Sequence, residues 1–257
     1  MKIVVCVKHV PDTEARIRIA ADGKRPDLAG VKTIVSPYDE YALEEALLLR
    51  ESGAATEIVA ISAGGDEVAA SLRQALAVGA DRAVHVHDPA LAGADALSRA
   101  KALAAAITAE APDLVFTGKM GVGDDEGQVG PMLAELLDRP HVGNAGKLTI
   151  EAGRFTAWRG VEGAVEVMEG SLPALLTWDK GEHEPRYASL KGIMAAKKKP
   201  LDVRKAADLG VVAEPPRVVR ESMELPPPRP AGKILTGDAA TAAHELARLL
   251  HEEAKVL

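Results

Sequence analysis

The stretch Leu114 to Leu137, LVFTGKMGVGDDEGQVGPMLAELL, narrows the possible folds more than any other part of the chain. Its apolar opening, Leu114 to Thr117, reads as a buried strand, and a loop with Gly118, Gly121, Gly123, Gly127 and Gly130 follows. The apolar residues of PMLAELL then recur at helical spacing, and Pro131 suits a first helical turn. A strand that runs through glycines into a helix can hold phosphate: glycines let backbone N–H groups approach an anion, and the helix N-terminus adds unpaired donors. Neither GxGxxG nor a terminal GK[ST] is present, so the same residues also read as a long glycine-rich connection. Asp124, Asp125 and Glu126 act both ways, since carboxylates repel phosphate but can cap a helix or accept from a ribose hydroxyl.

The first half of the chain repeats this alternation. Ile3 to Val7 is a continuous β-rich run suited to a strand covered on both faces. Ser36 and Pro37 open an amphipathic helix that Gly53 ends. Glu57 to Ser62 is a strand, Val68 to Val78 a helix closed by Gly79, Ala83 to Val86 a strand, and Asp95 to Glu110 an alanine-rich helix. Strands alternating with helices argue for a doubly wound parallel sheet, α/β in class, with ligands beyond the carboxyl ends of the strands. Three candidate loops lie at such ends: Lys8 to Thr13, Ala63 to Asp66 and Gly118 to Gly130.

Composition excludes several classes. With 47% hydrophobic and 27% charged residues the chain reads as globular and soluble, and no apolar run approaches the roughly 18 residues of a membrane span. The start MKIVVCVKHVPD lacks a signal-peptide apolar region, so a cytoplasmic location is expected, without membrane insertion. A net charge of -7 gives no footprint for nucleic acid, and Lys197, Lys198 and Lys199 read as the solvated end of a segment. The single Cys6 excludes an intrachain disulfide and reads as a buried, inert thiol. The seven histidines are scattered, and His85 and His87 read as a surface pair at a strand end.

After Asn144 the pattern changes to short alternating runs separated by EAGR, GVEG and EGSLP, expected to be antiparallel strands that extend the sheet or form a lid. Leu172 to Trp178 is expected to return to the main sheet, with Trp158 and Trp178 packed on it. From Pro200 the chain reads as an extended arm with Pro215, Pro216, Pro226, Pro227, Pro228 and Pro230, ending in a helix with Ala243, Leu246, Leu249 and Leu250 on one stripe. Two units are therefore expected, 1–200 and 201–257, the second docking on its own domain or on another subunit.

Residues 171–200, SLPALLTWDKGEHEPRYASLKGIMAAKKKP, resemble the signature region of the beta subunit of electron-transfer flavoproteins, and the likeness extends to VKHVPD, SPYDEYALEEAL, ALAVGADRAVHV and GDDEGQVGP. The resemblance implies a fold of the adenine nucleotide alpha-hydrolase kind and a heterodimer whose alpha subunit carries most contacts to FAD. It implies AMP in the beta subunit, held at Cys6, Ser36, Pro37, Tyr38, Asp39, Ala63 and the loop from Gly118 through Gly121, Gly123, Asp124, Asp125, Glu126, Gly127 and Gln128 to Val129. Thr13 and Tyr38 match positions that approach the flavin. Within Glu184 to Lys199, Leu190 matches a hydrophobic anchor for partner dehydrogenases, with Arg186, Tyr187, Ile193 and Met194 around it. Acyl-CoA or other dehydrogenases are the implied electron donors and a membrane quinone oxidoreductase the implied acceptor. Gly160 stands after Arg159 where relatives can carry a glutamate, which Glu162 would have to replace, and the acidic loop also resembles the branch with a second FAD in the AMP position.

The leading expectation is a non-catalytic electron-carrier subunit, since no His, Asp or Cys constellation has nucleophile or metal-ligand spacing. A stand-alone ATP-binding signalling domain and a nucleotide-using enzyme compete with it. The first predicts no need for residues 215–257, and the second requires turnover, with only Asp124 and Asp125 as a candidate Mg²⁺ pair.

Overall fold

The computed structural model describes residues 1–212, 214–229 and 231–257; Pro230 of the expected arm lies outside them. The first strand, β1 (Lys2–Cys6), is followed by two small ribbons formed by β2 (His9–Pro11) with β5 (Thr33–Val35) and β3 (Arg18–Ile19) with β4 (Pro26–Asp27). The alternating part continues through α1 (Pro37–Glu51), β6 (Glu57–Gly64), α2 (Val68–Val78), β7 (Arg82–His87), α3 (Ala96–Glu110), β8 (Leu114–Gly118) and α4 (Val129–Leu136). Next come β9 (His141–Glu151), β10 (Arg154–Val161), β11 (Ala164–Ser171), β12 (Ala174–Trp178), α5 (Leu190–Ala196), β13 (Leu201–Lys205) and α6 (Ala239–Glu252).

Nine strands form one sheet in the order β11-β10-β9-β12-β8-β1-β6-β7-β13, a doubly wound α/β architecture as expected. The pairs from β12 across to β13 are parallel, and β9 to β11 add an antiparallel extension. The period of two along β1 sorts its side chains: Ile3 and Val5 join the core under α1 and α2, while Val4 and Cys6 join the core under α3 and α4. Both faces are therefore covered, which is why the run carries no polar alternation. Trp178 is fully buried and meets Phe116 edge to face, with ring centroids 5.2 Å apart.

Three expectations need correction. The sheet does not stop at residue 200, because LDVRK forms β13, which pairs in parallel with β7 at the sheet edge; five residues were too short and too charged to stand out. His85 is no surface group: it is buried, with Nε2 3.2 Å from the Gly64 carbonyl oxygen, because β7 is covered on both faces. Lys199 is not a solvated terminus either, since its ammonium donates to the carbonyls of Leu76 (3.0 Å) and Ala80 (2.6 Å) at the end of α2. Beyond β13 a 3₁₀ turn (Ala206–Leu209) leads into an arm tied to α3, where Glu214 pairs with Lys101 at 2.8 Å and Arg217 N–H donates to Asp95 at 2.6 Å, and to the turn between β3 and β4, where Met223 N–H donates to the Gly23 carbonyl at 2.8 Å. No residue of α6 is buried. Among the described residues, no helix is long and apolar enough to cross a membrane.

At the amino-terminal edge of the sheet, buried Glu110 gathers cations from three strands. Arg82 pairs with one of its oxygens, Arg204 with the other at 2.9 Å, and Lys2 lies 3.7 Å away. Burial alone would raise this carboxyl, but Arg82 and then Arg204 more than offset that and hold it below the ordinary glutamate value. A depressed folded-state pKa gives stability that is complete above the unfolded value of about 4.5 and lost as pH falls through the folded value. We expect Glu110→Gln to cost about 2 kcal/mol at pH 7, below the usual figure for a broken buried pair because the cations are partly hydrated. Urea midpoints from pH 7 to 3 check this: the gap between variant and parent narrows toward pH 3, and a gap that stays constant with pH refutes it.

Candidate functional site

The order of the sheet reverses between β1 and β8, and a cavity of about 290 Å³ opens beyond the carboxyl ends of β1, β6 and β8. Its lining includes the apolar side chains of Ile61, Val68, Leu91 and Leu103, together with the glycine loop, Gly118 to Gly130, which delivers the N-terminus of α4. Gly127 has φ +62°, a left-handed turn that redirects the chain toward α4.

Asp39 organises the floor. One carboxylate oxygen accepts the Lys8 N–H at 2.7 Å, just past β1, and the other accepts the Gly118 N–H at 2.7 Å, at the end of β8. Ser36 adds its N–H to the Lys8 carbonyl at 2.9 Å, so the start of α1 is knitted to the exit of β1. Burial pushes the Asp39 carboxyl up to about 7, against the opposing pull of the two N–H donors and the Lys8 charge. Gly118 is required here for packing: a Cβ would lie 2.6 Å from Asp39 Oδ1 and from Tyr38 Cβ. Its N–H, read from the sequence as an anion donor, is spent on Asp39. Gly130 likewise lets α4 approach the sheet, where a Cβ would strike the Thr177 side chain.

Charge in the cavity comes from residues that the motif reading did not single out. Lys8, from the loop after β1, pairs with Asp124, and Arg99, on the first turn of α3, reaches to 3.7 Å of the same carboxylate. Lys119 pairs with Asp179 at 2.9 Å, which raises its pKa, and its ammonium lies 4.8 Å from the centre of the Tyr38 ring. Lys8 lay within a loop marked as a candidate. Arg99 carries no local signal, since a helix face facing the sheet end is a tertiary fact.

Of the expected contacts, Cys6, Asp39, Ala63, Gly118 and Gly121 line the cavity, as do Asp124, Glu126, Gly127, Gln128 and Val129. Ser36, Pro37, Tyr38, Gly123 and Asp125 do not, and Thr13, expected to face the flavin and not this cavity, lies apart from it. Cys6 is buried, and that burial first, then the charge of Asp39, pushes its thiol far above the ordinary range, as an inert thiol requires. Ser36 precedes α1 without a capping bond, and its buried hydroxyl has no hydrogen-bond partner among the described residues.

The second expected region lies on α5 and the segment before it. Leu190 is 84% exposed, and Tyr187, Ile193 and Met194 are exposed beside it. Arg186 differs: its guanidinium embraces buried Glu44 (2.7 Å) and Glu51 of α1, so it anchors the segment rather than presenting itself. Arg73 donates to the Ala196 carbonyl at 2.7 Å, and Gly192 packs so closely on α2 that a Cβ would strike the Ala77 carbonyl. Across the antiparallel extension Arg159 pairs with Glu166 at 2.8 Å, not with Glu162 of the following turn.

A doubly wound sheet with a glycine-lined cavity at its switch point places the chain among α/β proteins with a crevice beyond the carboxyl ends of the strands. The model of the electron transfer flavoprotein domain matches residues 27–209. The chain is 41% identical over 256 residues to the electron transfer flavoprotein subunit beta of Syntrophomonas wolfei, covering 100% of this chain and 98% of that one. It is 41% identical over 260 residues to the same subunit of Bacillus subtilis, with 100% of both covered. The mouse subunit is 39% identical over 256 residues, with 97% of this chain and 99% of its own covered. The chain therefore belongs to the electron transfer flavoprotein family, on the side of its beta subunits.

Asp39→Ala leaves two buried N–H groups without an acceptor. We expect a loss of about 2 kcal/mol, the cost of unsatisfied buried donors less the relief of burying one fewer charge. Urea unfolding at pH 7 measures it; a loss below about 0.5 kcal/mol, the scale of an ordinary surface substitution, contradicts the clamp.

Proposed function

We propose that this chain is the beta half of a two-subunit electron carrier that binds AMP in its own cavity and completes, with an alpha subunit, a site for FAD. The observation that carries the AMP assignment is the cavity itself, whose lining combines apolar side chains suited to a purine with a glycine loop and cations suited to a phosphate. Its volume of about 290 Å³ falls at the small end of ligand pockets, which run from roughly 300 to 1,000 Å³.

Redox chemistry in such a complex belongs to the flavin, and this chain supplies one face of its surroundings. Tyr38 stands outside the AMP cavity, under the ammonium of Lys119, which lines it, and Thr13 lies in the exposed turn after β2. These side chains fit the flavin-facing role. The chain performs no catalysis of its own. The arm from about 210 onward and the unburied stripe of α6 supply a surface for the alpha subunit. Leu190, held out on an anchored helix, docks dehydrogenases such as those acting on acyl-CoA, and electrons leave to a membrane quinone oxidoreductase, all from the cytoplasm.

Co-purification with the alpha-type subunit, followed by acid extraction, tests the assignment. One FAD and one AMP per heterodimer is the expected result. Two FADs replace AMP with the bifurcating alternative, and a partnerless, flavin-free chain points to the stand-alone nucleotide domain. In the assembled carrier, Leu190→Ala should slow reduction by a partner dehydrogenase about tenfold, as loss of an apolar anchor worth roughly 1.4 kcal/mol implies, with flavin content unchanged. An unaltered rate removes Leu190 from the docking site.

A further inference from the structure

We infer that Asp124 is a built-in occupant of the anion position, a carboxylate that holds the phosphate-binding cations until a nucleotide displaces it. The inference rests on the nucleotide reading of the cavity and adds how that site is regulated.

Three observations carry it. Lys8 and Arg99 come from separate elements lining the cavity, one from the exit of β1 and the other from the first turn of α3, and both reach the same Asp124 oxygen. Asp124 itself belongs to the glycine loop, and its side chain is 20% exposed, so the pair is partly withdrawn from water. The other acids of the loop do not share this position: Asp125 accepts the Gly123 N–H at 3.3 Å, and Glu126 makes no ion pair among the described residues.

Two cations converging on one point of a cavity repel each other unless an anion stands between them. In this structure the loop provides that anion. A nucleotide phosphate presents the same charge-assisted acceptors at higher charge, and it cannot share the position with a carboxylate at hydrogen-bond distance from both cations. Entry of phosphate therefore requires Asp124 to leave Lys8, and the loop must move with it. Gly121 and Gly123 flank this step: Gly121 lies against the Lys8 side chain, and Gly123, at φ +104°, holds a conformation that side-chain-bearing residues rarely adopt. The acidic loop thus sets a threshold for binding. It lowers the affinity for phosphate-bearing ligands without acting on free adenosine, and it keeps the cations paired when nucleotide is absent.

The test uses the full-length chain, freed of co-purifying nucleotide by charcoal treatment and titrated calorimetrically with AMP, adenosine and inorganic phosphate. Asp124→Asn should bind AMP about tenfold more tightly than the parent, the scale of one charge-assisted contact no longer lost on binding, with adenosine affinity unchanged. Inorganic phosphate should follow the same order at weaker affinity. Combining Lys8→Met and Arg99→Met should weaken AMP binding and abolish the gain from Asp124→Asn. Equal or weaker AMP binding by Asp124→Asn overturns the inference while leaving the nucleotide site standing. Failure of AMP and adenosine to bind any variant, all folded by circular dichroism and urea midpoint, removes the nucleotide reading and the inference with it.

Discussion

The contact on which the site depends is the Asp39 carboxylate between two strand ends. In a parallel sheet the last N–H groups of neighbouring strands point into the crevice where the chain departs, and each needs an acceptor. Asp39 serves the exits of β1 and β8 at once, at 2.7 Å each, from the first turn of α1. The separation of these exits fixes the mouth of the cavity, so a helix start on one face of the sheet sets the geometry for a ligand between the strands. The cost is a buried carboxyl pushed up to about 7, kept in place because the two N–H donors have no other partner.

The glycines of the loop divide the labour differently from what a motif suggests. Gly118 and Gly130 serve close packing, of β8 against α1 and of α4 against the sheet, while Gly127 serves a left-handed turn. Charge recognition falls to side chains outside the motif, Lys8 and Arg99, which the loop's own Asp124 engages. Lys8, Arg99 and Lys119 line the cavity beside Asp39, Glu67, Asp124 and Glu126, so its cations are held by neighbouring carboxylates at contact distance rather than by an excess of positive charge.

The exposed apolar segment around Leu190 follows a different rule. An unsupported apolar knob would fold back onto the nearest hydrophobic surface, but here Arg186 is locked by Glu44 and Glu51, Arg73 holds the end of α5, and Lys199 closes α2. The platform is rigid through polar contacts, which leaves Leu190, Ile193 and Met194 without a place to collapse. A pre-ordered surface of this kind pays little conformational entropy on docking.

The sequence by itself determined the alternation of strands and helices, the both-faces burial of β1, the strand-glycine-helix unit at 114–137 and the antiparallel turn at the extension, because each is a local pattern of period two, period 3.6 or glycine spacing. Resemblance of separate motifs then named the family. Only the tertiary structure decided which residues share the cavity. It joined Arg99 from a helix face to Lys8 and Asp124, moved Ser36, Pro37 and Tyr38 off the cavity wall, buried His85, and turned LDVRK into an edge strand. These outcomes depend on strand order and on which helix covers which face, and residues distant in sequence carry no local period that records their meeting in space.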